Sequence, residues 1–182
     1  MVFGLFRRSE AEPFALYGAI VAQARQPALF ADYGVPDTLD GRFDMIVLHT
    51  VLVLRRLRGE PAPASDRAQA LFDLFMADMD RSLREMGVGD TTVPKRIKRM
   101  ASAFYGRLGA YVGALDAGDR PALAAALARN IRPDEADDAP SERLARYVEA
   151  AAAALAAAPV ADILDGRIAF PDPVEIEESA PC

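Results

Sequence analysis

Apolar positions along the chain recur at intervals of three and four residues, and no alternation of period two persists for any length. Phe14, Tyr17, Ile20, Val21 and Ala24 follow that spacing, and Ser9 with Glu12 stands at capping-box distance just ahead of Pro13, so a helix is expected from about Glu10 to Gln26. The stretch QPALFADYGVPDTLDGR is broken by Pro27, Gly34, Pro36 and Gly41 and reads as a mostly irregular connection. A loop of that length is functional or packed down by its aromatics, here Phe30 and Tyr33. From about Leu39 to Arg58 the chain is apolar on nearly all sides between Met45 and Leu54, apart from His49 and Thr50, which marks a central core helix.

Asp66 and Gln69 again have capping-box spacing and open a helix to about Met86, with Leu71, Phe72, Phe75, Met79, Leu83 and Met86 as its buried stripe. A further helix starts at Pro94 with Thr92 or Val93 at its cap, and Ile97, Met100, Ala101, Phe104, Leu108, Tyr111, Val112 and Leu115 line its inner face. Asp119 caps a short helix through about Asn130, and Ser141 opens one through about Ala158 with Leu144, Tyr147, Val148, Ala151 and Leu155 inward. The pattern predicts an all-α fold: a flexible N-terminus over 1–9, one compact multi-helix domain over 10–158, and an acidic, largely disordered extension over 159–182.

The helix after Pro94 breaks two rules of helix design. Lys95, Arg96, Lys98 and Arg99 crowd its first two turns, where the helix dipole is positive and each exposed cation costs ~0.3–1 kcal/mol. Gly106, Gly109 and Gly113 sit in its interior, each at a cost of ~1 kcal/mol against Ala. At about 100° per residue, Lys95, Arg99 and the three glycines fall opposite Ile97, leaving a back that is basic at its beginning and nearly free of side chains afterwards. Gly109 and Gly113 have the GxxxG spacing that lets two helix backbones approach closely. Two readings follow. The face is a docking groove for a partner helix with an anion beside it, or the glycines pack under a neighbouring helix of this chain while the cations pair with Asp78, Asp80, Glu85 or Asp90.

Composition narrows the chemistry. Hydrophobic residues make up 52% and charged ones 26%, as in a folded domain. Residues 1–115 carry 15 basic against 13 acidic side chains, net +2, whereas residues 116–182 carry 6 against 14, net −8. The overall acidity argues against DNA binding, although a local basic patch still suits phosphates. Cys182 is the single cysteine, so the chain builds no internal disulfide and belongs in a reducing compartment. The run before Arg7 and Arg8 is too short for a signal peptide or a span. With one histidine, and no P-loop, GxGxxG or GxSxG, binding is expected rather than catalysis, with neither metal nor cofactor. His49, on one face with Met45, Leu52, Val53 and Arg56, is expected as a packed core residue; the alternative is an apolar lipid or small-molecule pocket with His49 and Arg56 as polar anchors.

The words LYGAIVAQARQPALFADYGVPDTLDGRFDMIVLHTVLVLRRL and QALFDLFMADMDRSLREMGVGDTTVPKRIKRMASAFYGRLGAYVGAL together cover about residues 16–115. GVPDT, GRFD, DMDRSLREMGVGD, VPK and FYGR, in that order, resemble the ubiquinol–cytochrome c chaperone family, the bacterial relatives of the mitochondrial assembly factor for cytochrome b of respiratory complex III. The resemblance implies an all-helical, non-catalytic factor at the cytoplasmic face of the inner membrane. It would hold newly made cytochrome b, with the ribosome, an anionic membrane surface and a small assembly protein as further partners. By that analogy Lys95, Arg96, Lys98 and Arg99 would touch rRNA or lipid phosphate, and Tyr105, Gly106, Arg107, Gly109 and Gly113 would meet the client. Unlike mitochondrial members, the chain shows no transit peptide, and its acidic C-terminal third has no counterpart in the resemblance.

Overall fold

The computed structural model describes the backbone of residues 3–133, 135 and 137–178, and the side chains of 14–133, 135 and 137–176. Its helices are α1 (Phe3–Ala24), α2 (Pro27–Ala31), α3 (Leu39–Leu57), α4 (Ala64–Glu85), α5 (Val93–Ala117), α6 (Arg120–Ile131), α7 (Ala139–Ala157), α8 (Val160–Leu164) and α9 (Pro173–Glu178), and no strand occurs among the described residues. The all-α expectation holds.

α3 is the axis of the core. Every residue from Asp44 to Val53 is buried, and the helix packs on α1, α4, α5 and α7 at once, as an apolar circumference requires. Its start is fixed locally: the Thr38 hydroxyl accepts the Gly41 N–H at 3.1 Å, and a Cβ built on Gly41 would overlap the Pro36 carbonyl oxygen. Leu144, Tyr147, Val148, Ala151 and Leu155 of α7 are all buried, as their spacing predicts. Asp119 caps α6 by accepting the Ala122 N–H at 2.9 Å, and α5 stops where Gly118 takes a positive φ of 64°.

Several expectations fail in instructive places. α1 is already helical at Phe3, which puts Ser9 inside the helix instead of at its cap; the Ser9 and Glu12 side chains lie outside those described. The connection after Gln26 holds the short α2, with Leu29 and Tyr33 buried beneath it. Phe14 and Met86, expected inside, are exposed. The C-terminal extension, expected to be largely disordered, is packed as far as Ile176. Ile163 is fully buried, Ile168, Phe170 and Ile176 lean on the core, the Tyr33 hydroxyl donates to the Pro173 carbonyl at 2.6 Å, and Gln23 Nε2 donates to the Pro171 carbonyl at 3.1 Å. The acidic composition hid apolar residues that arrive singly, without a period to reveal them. Residues 1–2 and 179–182, Cys182 among them, lie outside the described residues.

Candidate docking surface

Val93 anchors the start of α5 in the core, and Lys95, Arg96, Lys98 and Arg99 that follow are exposed. None of the four enters an ion pair among the described residues, because the acids expected to neutralise them are already engaged. Asp78 is held by Arg81 and by the Tyr17 hydroxyl, Asp80 and Asp90 by Arg84, and Glu85 lies 4.0 Å from Arg81. The cations therefore remain uncompensated at the positive end of a helix, which is unfavourable for the isolated chain and favourable toward an anion.

Arg96, Arg99 and Met100 form one wall of a cleft of about 500 Å³ between α3, α4 and α5. Phe43, Ile46, Met79 and Leu83 make its floor. At its rim stand Leu39, 66% exposed, and Met86, 51% exposed, large apolar side chains of the kind that marks a contact surface when clustered. Arg25 and Arg42 complete the rim and also line an adjoining cleft of about 620 Å³ beside Phe30 and Ala31. The two hollows thus meet in one trough. Sequence reasoning missed Arg25, Leu39, Arg42 and Phe43, since a wall assembled from separate helix ends leaves no periodic signal; the one available sign was Leu39, an apolar residue directly after a cap.

The other half of the expected surface lies at the opposite end of the α3–α5 contact. Among the described residues a Cβ added at Gly106, Gly109 or Gly113 would meet no neighbouring atom within 4 Å, so no described helix packs on the ridge, against the self-packing reading. Gly109 and Gly113 border a cleft of about 490 Å³ with Leu54, Leu108 and Val112. Arg55 and Arg58 at its edge are tied to Asp116 at 2.9 and 2.7 Å, whose carboxyl their hydrogen bonds, Arg58's foremost, hold below its ordinary range. Tyr105 is 57% exposed, resting against Phe72 and Phe104. Arg107, expected on the contact surface, turns inward to pair with Asp44 at 2.7 Å, joining α5 to α3. Burial pushes the Asp44 carboxyl up to about 6 against the pull of Arg107, with Asp40 adding to the rise.

His49 is fully buried. Its Nδ1 lies 2.7 Å from the Met45 carbonyl and must donate to it, which leaves Nε2 to accept the Tyr147 hydroxyl at 2.8 Å. Tyr147 in turn accepts from Gln23 Nε2 at 2.9 Å. Arg56 donates to the Leu155 and Ala158 carbonyls at 3.0 and 3.2 Å and pairs with Glu60 at 2.8 Å, closing the end of α7. Neither residue lines any of the three clefts described above. Both serve the core, as expected of His49, and nothing in their surroundings favours a pocket.

An all-α body whose open features are apolar troughs with basic rims, and whose histidine is saturated inside, has the make-up of a protein-binding module. Among the described residues there is no cluster of His, Cys, Asp and Glu able to hold a metal, and no helix long and apolar enough to cross a membrane. Residues 31–170 match the model of the ubiquinol-cytochrome C chaperone family. The crystal structure of the Cbp3 homolog from Brucella abortus superimposes with a TM-score of 0.88 at 44% sequence identity, over 96% of this chain and 99% of that one. No curated protein matches the chain. The chain belongs to the ubiquinol–cytochrome c chaperone family.

Proposed function

We propose that the chain is a non-catalytic assembly factor that binds newly made cytochrome b and supports maturation of the cytochrome bc1 complex. One observation carries the reading: within the span shared with the chaperone family, the start of α5 presents four exposed cations with no ion pair among the described residues, beside an open apolar trough. Burying apolar segments of an unassembled membrane protein while attracting acidic groups or lipid phosphates near them is work such a surface suits. In this reading the protein needs no cofactor of its own, works at the cytoplasmic face of the inner membrane without crossing it, and takes the ribosome, an anionic membrane surface or a small assembly protein as further partners, but not DNA.

The test is charge reversal. Replacing Lys95, Arg96, Lys98 and Arg99 by Glu should leave the circular dichroism and Tm of the protein intact, because all four are exposed and make no ion pair among the described residues. It should also abolish recovery of cytochrome b in a pull-down at fixed salt. In a host deleted for the gene, reduced-minus-oxidised spectra of membranes should lose the b-type haem signal, restored by the wild type and not by the reversed variant. Normal complex III in the deletion would refute the reading.

A further inference from the structure

We propose that the trough between α3, α4 and α5 seats one amphipathic helix of a partner protein, with acidic residues flanking its apolar face. The inference rests on the binding role proposed above and gives that role a place and a recognition chemistry. Leu39 and Met86 remain exposed at the rim, while Ile46, Met79 and Leu83, each below a tenth exposed, lie recessed beneath them. A volume of about 500 Å³ falls within the ~300–1,000 Å³ of clefts that bury apolar groups. Three methionines contribute to the lining, and methionine adapts its shape to whatever side chains enter.

Charge then selects the occupant. Arg25, Arg96 and Arg99 stand at the rim with no ion pair among the described residues, and Arg42 is held by exposed Asp37 at 2.7 Å. The acids of the trough do not cancel them: Asp78 is occupied by Arg81 and Tyr17, which leaves Asp40. Lys95 and Lys98 extend the positive field beyond the rim. An apolar floor between basic walls complements a helix that presents Leu or Met along one stripe and Glu or Asp beside it. Concavity separates that occupant from a bilayer. Packed headgroups would meet Leu39 and Met86 without reaching the recessed floor, whereas side chains projecting from a helix reach it.

The probe is a fluorescein-labelled helical peptide of about 18 residues, or five turns, with a Leu/Met stripe flanked by Glu, beside a twin in which Lys replaces Glu. With the full chain, anisotropy should give an affinity for the Glu peptide about tenfold or more above that for the Lys peptide. The double variant R96E/R99E should invert the preference, and Leu39→Asp with Met86→Asp should abolish binding of the Glu peptide at unchanged Tm. Failure of the Glu peptide to bind, equal binding of the twins, survival of binding in the Leu39/Met86 variant, or binding only to vesicles containing phosphatidylglycerol would each overturn the proposal. The assembly reading fails separately. If the Leu39/Met86 variant loses the peptide yet restores normal cytochrome b to the deletion host, the trough's chemistry stands and its link to assembly does not.

Discussion

His49 and Asp44 lie on the same helix and respond to acid in opposite ways. Burial lowers the His49 pKa from 6.5 to about 4, outweighing the Met45 bond that raises it. The unfolded chain then binds a proton that the folded chain refuses, so this contribution to stability is present above pH 6.5 and is lost as pH falls toward 4, by roughly 3 kcal/mol. Asp44, raised from 3.8 to about 6 chiefly by burial, keeps its proton longer when folded. Its contribution is present below about pH 4 and is lost as pH rises through 6. Between those limits the two offset each other. Urea denaturation between pH 6.5 and 4.5 should therefore show a shallow loss on acidification for the wild type, a steeper loss for Asp44→Asn, and a gain for His49→Gln, in which the Asp44 contribution stands alone. Equal slopes in all three would mean that neither group carries the linkage.

At the scale of the element, α5 poses the sharpest conflict between what its sequence costs and what its fold recovers. Among the described residues nothing lies within 4 Å of a Cβ added at Gly106, Gly109 or Gly113, so the described structure returns nothing for three weak helix formers. The triple change to Ala should raise stability by on the order of 1–3 kcal/mol and Tm by several degrees. If the ridge is a contact surface, the same variant should recover less cytochrome b in the pull-down; full recovery would remove the ridge from the docking surface and leave the trough alone. This helix also shows what the sequence made legible. The inner faces of α3 and α7 could be read residue by residue, since a helix packed along its whole length repeats its demand every three or four positions. Lys95, Arg96, Lys98 and Arg99 were legible because they violate the dipole rule. The inward turn of Arg107 was not, for it depends on Asp44, a residue of another helix. The trough was not legible either: Leu39 opens α3, Met86 caps the end of α4 and Arg25 follows the end of α1, and the three meet only in space.

The whole molecule divides its charge, and the division has structural work to do. The acidic C-terminal third, net −8, ends in α9, which packs on α2 and α7. It is fastened there by the Tyr33–Pro173 and Gln23–Pro171 hydrogen bonds and by Phe170, whose ring stands edge-on to His49 at 5.1 Å. The extension thus roofs the histidine, and two of its carboxylates, Asp162 and Asp165, are paired with Arg167. A chain ending at Asp165 loses that roof and part of the burial of Ile168, Phe170 and Ile176, a loss on the order of 3 kcal/mol, or roughly 6–12 °C in Tm. It should also let water reach His49, so that the histidine titrates nearer its ordinary value and the stability it withdraws on acidification shrinks. Thermal melts of both chains at pH 7 and 5, with NMR titration of the single histidine, test the pair of effects together. A truncated protein with unchanged Tm and a His49 still neutral at pH 5 would show that the extension lies on the core without stabilising it.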